Sequence, residues 1–494
     1  MANSIIEDLD PSTLWTRFYE ISQIPRPSKG EEQIRAYLRN FAAVRNLKMK
    51  EDKVGNIVIY LEPTKGFEKA PTAVLQSHVD MVCEKNKEKV HDFNSDPIKL
   101  VRDGEWIKAD GTTLGADNGI GVAAALAIAS DYTIDHGPIE LLFTVDEETG
   151  LTGANNLQNG YIKGKYLLNL DTEEDGAFYV GCSGGLDTAG SFKIDWTDSN
   201  KNYIPVLLTV SGLKGGHSGI NIVDKRANAI KLLAYLLNEL LKFDYQVGYI
   251  SGGSKRNAIP REAEALIFIN PDDQAKIREN INEFSLAAVL EFKGVDDSVK
   301  IAIENKDENI VGRAYSKEFF IKVLNTLLAI PHGTIAMSVD IPGLVETSTN
   351  LATITTEENF LIIGTSQRSS IESAKKNIAA SVKSVFDLAG AAVKNSDGYP
   401  GWQPNLDSDL LKISRRAFIE TFDKEPEMKA VHAGLECGIL GDKFPGIEMV
   451  SFGPTIEGAH SPDEKVNIPA VERFYDLLKA ILVDIANINN EKSR

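Results

Sequence analysis

The stretch TAVLQSHVDM, residues 72–81, joins an apolar run to two polar side chains. The run TAVLQS has the composition of a buried strand, and His78 and Asp80 stand where it ends. In open α/β sheets, reactive groups collect where strands end and loops begin. The stretch therefore predicts a strand of a central sheet with a functional site at its carboxyl end.

The same arrangement recurs along the chain, because further carboxylates and an imidazole follow apolar runs in other segments. With the first two they form a set of acidic and imidazole side chains, namely His78, Asp80, Asp117, Glu147, Glu148, Asp171 and His460. Zinc and related ions accept histidine nitrogen and carboxylate oxygen. Two histidines and three carboxylates match the ligand count of a two-metal hydrolase site, and a further carboxylate would transfer protons.

The adjacent carboxylates of VDEETG suggest a division of labour between a metal ligand and a general base. Glu147 and Glu148 can converge only if the strand has ended, since successive strand side chains point to opposite faces, and Thr149 and Gly150 allow a turn there. Asp80 lies on the same side of an extended strand as His78. It would hold the imidazole ring and fix the tautomer that binds metal.

Composition limits the classes of protein to consider. A chain of 494 residues predicts two or three domains, and a hydrophobic content of 43% supports a sizeable core. A net charge of −18 argues against nucleic acid as a partner. We find no signal peptide and no apolar run long enough for a membrane span. Three cysteines (Cys83, Cys182 and Cys437) fit a reducing cytoplasm, where we expect the protein to be located.

Alternating strands and helices predict an α/β domain that is interrupted by an insertion. Residues 1–185 and 400–494 would form the discontinuous catalytic domain with a mixed central sheet, and residues 186–399 an inserted α+β lid of two fused units. Helices are predicted at 12–23, 31–44, 118–130, 223–242, 272–292, 316–330, 371–389 and 407–421. Strands are predicted at 56–63, 72–80, 138–148, 166–171, 203–212, 263–269, 298–304, 351–356, 360–365 and 447–454.

Seven short motifs in one order give the chain a resemblance to a known family. They are SHVDM, LGADNGIG, DEETG, LNLDTEE, GGHSG, HAGLECG and GAHSPDE. Together they resemble the aminoacyl-histidine dipeptidases of the peptidase D type, within the wider group of di-zinc exopeptidases that includes aminoacylases and glutamate carboxypeptidases. The resemblance covers essentially the whole chain and implies a zinc-exopeptidase fold.

The resemblance also implies roles for individual residues at the predicted centre. One divalent metal ion would be bound by His78 and Asp171, and the other by Glu148 and His460. Asp117 would bridge the two ions, with a cis peptide bond to Asn118. Glu147 would be the general base and then the general acid, and Asp80 would orient His78. Zinc is the default for these ligands, and cobalt or manganese would fit the same donors.

Residues of the inserted domain and of HAGLE receive roles in the same way. By resemblance, His217 in KGGHSGI would stabilise the oxyanion. Asn257 and Arg368 would bind the substrate, and His432 and Glu436 would line the pocket near its ends. The partner is then a small peptide. The lid would either replace a partner subunit or add to a homodimer interface, and the sequence leaves both open.

The reaction that follows from this resemblance is hydrolysis of an unblocked dipeptide, with histidine preferred at the C-terminal position. An N-acyl amino acid deacylase or a tripeptidase on the same scaffold is the alternative, because fold and metal do not fix the substrate. A non-catalytic metal-binding or peptide-binding protein is the alternative of another class. The intact Glu147 beside the ligands argues against it, since a binding protein needs no general base.

Overall fold

The computed structural model describes residues 5–307 and 312–491, and side chains up to residue 488. The chain forms two compact units. The first comprises Met1–Gly181, Pro404–Ala430 and Glu436–Arg494, and the second, the inserted unit, comprises Cys182–Gln403 and Val431–Leu435. The sequence predicted the insertion at residues 186–399. The structure places its limits a few residues further out and adds the short return at 431–435, where the backbone N–H of Ser183 donates to Val431 and Ala433.

The α-helices of the described residues are α1 (Ser12–Ser22), α2 (Glu32–Val44), α3 (Ala116–Ile128), α4 (Glu147–Gly150), α5 (Thr152–Asn156), α6 (Ala229–Glu239), α7 (Gln274–Glu291), α8 (Lys317–Ala329), α9 (Glu372–Leu388), α10 (Asp409–Phe422), α11 (Glu436–Lys443) and α12 (Ile468–Glu491). None of these helices is both long and apolar enough to span a lipid bilayer.

The strands of the described residues are β1 (Lys48–Glu51), β2 (Ile57–Leu61), β3 (Ala73–His78), β4 (Leu100–Asp103), β5 (Trp106–Ala109), β6 (Ile139–Thr144), β7 (Tyr166–Asn169), β8 (Ala177–Cys182), β9 (Gly184–Lys193), β10 (Trp196–Asp198), β11 (Ile204–Ser211), β12 (Gly216–His217), β13 (Tyr245–Gly252), β14 (Ala258–Ile259), β15 (Ala263–Ile269), β16 (Lys300–Asn305), β17 (Arg313–Tyr315), β18 (Gly333–Met337), β19 (Val345–Thr356), β20 (Phe360–Ser369), β21 (Ala392–Asn395), β22 (Glu427–Val431), β23 (Glu448–Ser451), β24 (Ile456–Glu457) and β25 (Lys465–Asn467).

The first unit is built on a mixed eight-stranded sheet with the order β1-β2-β6-β3-β7-β23-β8-β22. The strands β6, β3, β7 and β23 run parallel to one another at its centre. Every residue of β3 and β6 is buried, which is expected for parallel strands that are covered on both faces. The small residues of α3 let this helix pack closely, and residues 118–128 are all buried.

The inserted unit contains a nine-stranded sheet, in which β18 pairs with β19 beside the path β16-β11-β15-β13-β19-β20-β9-β21. Its halves are the two predicted α+β units, and they meet where Gly252 of β13 pairs with Ile354 of β19. One hydrophobic core runs through both halves and includes residues of α6, α7, α8 and α9. The predicted fold class, an α/β unit with a mixed sheet interrupted by an α+β unit, is confirmed.

Candidate active site

The central parallel strands bring the predicted side chains to one edge of the sheet. His78 is the last residue of β3, and Asp171 follows two residues after β7. The strand β6 ends at Thr144, and Asp146 turns the chain with a φ of 50° before Glu147 begins α4. The carboxyl ends of neighbouring parallel strands share one edge of the sheet, so these three segments converge.

Two groups of candidate metal ligands form there, and Asp117 belongs to both. In the first group, His78 Nε2 lies 3.0 Å from Asp117 Oδ1 and 3.2 Å from Asp171 Oδ1. In the second, His460 Nε2 lies 3.1 Å from Asp117 Oδ2 and 3.1 Å from Glu148 Oε2. Because each oxygen of Asp117 faces a different histidine, this carboxylate is placed to bridge two ions.

The charges of these groups fit divalent cations. Burial lowers the pKa of His78, but the carboxylates of Asp171 and Asp117 outweigh burial and hold it well above its ordinary value. Hydrogen bonds to Asp117 and Glu148 raise the pKa of His460 to about 11. The site therefore attracts positive charge. Among the described residues, the buried oxygen Glu148 Oε1 has no hydrogen-bond partner, which suits it to metal binding.

Asp80 links the imidazole of His78 to the turn that carries the two glutamates. Its Oδ1 lies 3.4 Å from His78 Nδ1, on the side of the ring away from Asp117. The same carboxylate accepts hydrogen bonds from the backbone N–H of Glu147 at 3.1 Å and of Glu148 at 3.3 Å. Burial raises the pKa of Asp80, but His78 and these donors outweigh burial and lower the pKa to about 2. Asp80 is thus an anion that fixes both partners.

Glu147 is the carboxylate beside the ligands that has acid–base properties. It lies with His78 and Glu148 in a group whose ligand atoms are within 4.8 Å of one another. Burial raises its pKa well above the ordinary value; His78 opposes this rise, and the negative charges of Asp171, Glu436 and Glu148 add to it. A carboxyl group with a raised pKa can both accept and return a proton near neutral pH.

Glu464 and Arg26 support the loop that carries Asp117, and neither was predicted from the sequence. The buried carboxylate of Glu464 accepts hydrogen bonds from the backbone N–H of Leu114 at 2.7 Å, Gly115 at 2.9 Å and Ala116 at 2.8 Å. Arg26 is buried and donates to the carbonyl oxygens of Val79, Asp80 and Gly115. The Asp117–Asn118 peptide bond that follows is cis, as predicted.

The inserted unit holds a second set of predicted residues around His217, which lies in β12. The Nδ1 atom of His217 accepts the backbone N–H of Gly219 at 3.2 Å and of Ile220 at 3.1 Å. Its hydrogen is therefore on Nε2, and this atom lies 3.5 Å from Nη2 of Arg368. Burial and the guanidinium of Arg368 lower the pKa of His217 to about 4, so the imidazole is neutral near pH 7.

The remaining predicted residues divide between the two units. His432 belongs to the inserted unit, where Nε2 and Ser348 Oγ are 2.7 Å apart, and burial together with Arg368 lowers its pKa to about 3. Asn257 is exposed and borders, with His217, a cleft of about 870 Å³. Glu436 lies in the first unit, where Gln76 and Thr144 each donate to its carboxylate at 2.6 Å. Burial raises the pKa of Glu436 to about 7.

The family of this chain follows from its sequence as a whole. The pattern of peptidase family M20/M25/M40 matches residues 74–484, which include every predicted metal ligand. The chain belongs to peptidase family M20/M25/M40. It is therefore a hydrolase that acts on peptide bonds.

Members and structural relatives of this family resemble the chain over nearly its full length. The cytosol non-specific dipeptidase of Escherichia coli (strain K12) is 40% identical in sequence, over 98% of this chain and 99% of the length of the dipeptidase. Aminoacylhistidine dipeptidase from Vibrio alginolyticus has 41% sequence identity to this chain, and its crystal structure superposes with a TM-score of 0.89. The match covers 98% of this chain and 99% of the Vibrio chain.

A more distant structure has the same fold as this chain at low sequence identity. A tripeptidase from Staphylococcus aureus superposes with a TM-score of 0.57 at 17% identity, covering 97% of this chain and 99% of its own. The resemblance to the aminoacyl-histidine dipeptidases, first drawn from short motifs, is confirmed by the two closer relatives.

Proposed function

We propose that the protein is a metal-dependent dipeptidase that hydrolyses unblocked dipeptides, including those with a C-terminal histidine. The observation that carries this proposal is the position of Asp117 between two histidine–carboxylate groups, with Glu147 next to one of them. Two relatives of at least 40% identity over nearly the full chain are named as dipeptidases, which supports the substrate class.

Two divalent ions would be held by the residues of the two ligand groups. His78 and Asp171 would bind one ion, Glu148 and His460 the other, and Asp117 both. When bound, such ions polarise a carbonyl group and lower the pKa of water. Zinc suits these nitrogen and oxygen donors, and cobalt or manganese would suit them as well.

Glu147 would carry protons between water and the leaving group. In this scheme its carboxylate takes a proton from the attacking water and returns it to the nitrogen of the scissile bond. Burial raises the pKa of Glu147, which makes its carboxylate a stronger proton acceptor for the first of these steps. Asp80 would keep His78 in the tautomer that leaves Nε2 free for the ligand group.

Residues of the inserted unit would recognise the substrate. The Nε2–H of His217 would donate to the oxyanion, and the planar guanidinium of Arg368 would pair with the terminal carboxylate, for which its fork of donors is suited. Asn257, His432 and Glu436 would contact the ends of the dipeptide. We further propose a cytoplasmic protein, with either a monomer or a homodimer as the active form.

The proposal is tested by hydrolysis of alanyl-histidine, N-acetyl-histidine and alanyl-alanyl-histidine, each with metal-reconstituted protein. We expect cleavage of the dipeptide and little of the other two. Glu147→Gln should bind two metal ions per chain and lose roughly 10²- to 10⁴-fold in kcat, the range for general acid–base catalysis. Glu88→Gln, which changes an exposed carboxylate outside the ligand groups, is the matched control.

Three results would contradict this function in different ways. Preferred cleavage of N-acetyl-histidine would make the protein a deacylase, and preferred cleavage of the tripeptide would make it a tripeptidase. Near-wild-type turnover by Glu147→Gln would show that Glu147 is not the general base. Binding of metal and dipeptide by the wild-type protein without turnover would favour a binding protein.

A further inference from the structure

Tyr399 lies beside Arg368 in the inserted unit, and no role was predicted for it from the sequence. Its hydroxyl group accepts a hydrogen bond from Nη1 of Arg368 at 2.7 Å. Among residues 5–307 and 312–491, the hydrogen of this hydroxyl has no acceptor. Tyr399 therefore offers one unused donor next to a guanidinium group.

The position of the tyrosine ring is fixed from several sides. The backbone N–H of Tyr399 donates to Gly185 at 2.9 Å, and the N–H of Gly185 donates back at 3.1 Å. The buried Lys375 donates to the carbonyl oxygen of Tyr399 at 2.6 Å. A Cβ atom on Gly185 would lie 2.7 Å from the hydroxyl, and one on Gly434 would lie 2.8 Å from Cε2 of the ring. Only glycine at these two positions leaves room for the ring in this position.

The donors around Tyr399 are not balanced by acceptors. Arg368 Nε is buried and has no hydrogen-bond partner among the described residues. Arg368 Nη2 faces the Nε2–H of His217 at 3.5 Å, so two donors point toward one another. No carboxylate of the described chain forms an ion pair with Arg368 within 4.0 Å. Buried donors without acceptors are costly, so the surplus of donors around Tyr399 favours an anionic ligand there.

We propose that Tyr399 and Arg368 form one anion-binding pocket beside His217, in which the Tyr399 hydroxyl donates to the terminal carboxylate of the substrate. Tyr399 is then a substrate-binding residue, and it also positions Arg368 through Nη1. This inference rests on the proposed function, because the carboxylate belongs to a peptide substrate. A phenol suits this role, since it accepts from the guanidinium and donates to the carboxylate at the same time.

The experiment compares Tyr399→Phe with the wild-type protein on alanyl-histidine and on alanyl-histidine amide. The variant keeps the ring and removes only the hydroxyl group. A hydrogen bond to a charged group corresponds to roughly 10- to 100-fold in affinity, so KM for the free acid should rise by about that factor, with kcat nearly unchanged. KM for the amide, which lacks the negative charge, should change little.

Controls separate a role in binding from a role in stability. Tyr60→Phe removes a hydroxyl group of the first unit that donates to Tyr161 at 2.7 Å, and it should leave both KM values unchanged. Arg368→Lys, like Tyr399→Phe, should raise KM for the free acid more than KM for the amide. Two results for Tyr399→Phe would overturn the proposal. One is an equal rise in KM for the acid and the amide together with a lowered Tm, and the other is an unchanged KM for the acid.

A binding measurement separates this inference from the proposed reaction. In the metal-loaded Glu147→Gln background, calorimetry with the dipeptide and its amide measures carboxylate recognition without turnover. Tyr399→Phe in that background should weaken binding of the acid roughly tenfold or more and leave the amide nearly unaffected. Absence of dipeptide hydrolysis by the wild-type protein would contradict the proposed function. Equal binding of acid and amide by the Glu147→Gln protein would contradict the pocket.

Discussion

A single buried carboxylate, that of Glu464, holds the loop that presents Asp117 to both ligand groups. It accepts the N–H groups of three successive residues, Leu114 to Ala116, and that of Asp117 at 3.3 Å. Groups that orient metal ligands in this way affect metal affinity although they do not touch the ion. We therefore expect Glu464 to affect metal affinity through the position of Asp117.

Glu464→Gln should weaken metal binding by about 10- to 100-fold while the protein remains folded. The substitution replaces one accepting oxygen with an NH₂ group, which then faces backbone N–H donors and lets the loop of Asp117 shift. Metal affinity, measured by calorimetric titration of the metal-free protein, checks this. Glu457→Gln, an exposed position whose carboxylate pairs with Lys465 at 2.9 Å, is the matched control. Equal affinities in both variants would show that other contacts hold the loop.

The sequence predicted the side chains at the centre better than the contacts that support them. His78, Asp171 and the paired glutamates could be found because they follow apolar runs, and strand ends share an edge. Glu464 and Arg26 could not, because their partners are backbone atoms. Glu464 is 350 positions away from Leu114 in the sequence, and backbone N–H groups have no sequence signature.

At the scale of the elements, the turn after β12 determines where His217 points. This turn packs closely against the return segment 431–435. A Cβ atom built on Gly219 would lie 1.9 Å from the carbonyl oxygen of His432 and 3.1 Å from Cε1 of His217. The backbone of His432 lies on one side and the imidazole of His217 on the other, so an added methyl group would displace one of them.

Gly219→Ala should lower kcat/KM for alanyl-histidine by at least about tenfold, because the added methyl group displaces the turn and with it His217. Metal stoichiometry should stay at the wild-type value, since the ligands belong to the first unit. Gly312→Ala is the control, because among residues 5–307 and 312–491 a Cβ atom there meets only Phe268 at 3.8 Å. Wild-type kinetics for Gly219→Ala would show that the turn adapts without cost.

Elements with clear periodicity could be predicted, and glycine-rich ones could not. The predicted helix 316–330 and strand 263–269 agree with α8 and β15 within a residue. The strands β9 (GGLDTAGSFK) and β13 (YQVGYISG) were missed because their glycines are typical of turns. Both lie inside the sheet of the inserted unit, where pairing on two sides stabilises them in spite of weak strand propensity.

For the whole molecule, three neutral histidines make the inserted unit sensitive to acid. Burial lowers the pKa of His217 and His332 to about 4 and that of His432 to about 3. The positive charge of Arg368 adds to this effect at His217 and His432, and that of Lys231 adds to it at His332. In the unfolded chain these groups titrate near 6.5, so the folded unit binds fewer protons below that pH. Its stability is therefore complete above about pH 6.5 and is lost as the pH falls toward 4.

The free energy of unfolding of the inserted unit should fall between pH 6.5 and pH 4.5 by up to about 1.4 kcal/mol per pH unit for each of these histidines. Denaturant unfolding at several pH values measures this slope. His332→Gln keeps an acceptor for the N–H of Leu351 and removes one titrating group, so the slope should decrease. An identical slope in wild type and variant would contradict the prediction for His332.

The domain organisation could be predicted in outline from the return of α/β character near residue 400. The return segment 431–435 could not, because five residues that begin with the last residue of β22 and end before α11 are too few to show a distinctive composition. Its placement depends on Ser183, which pairs with it from the other end of the insertion. A contact between such distant and irregular segments is visible only in the folded chain.

The position of β23 has a consequence for biosynthesis. This strand, Glu448–Ser451, lies between β7 and β8 in the middle of the first sheet, yet it is synthesised after both of them and after residues 182–403 of the inserted unit. The inserted unit, complete but for residues 431–435, can therefore form while the first unit still has a gap beside β7. Any nascent chain that ends before residue 448 lacks a central strand, so truncation there should yield a chaperone substrate and not a shortened enzyme.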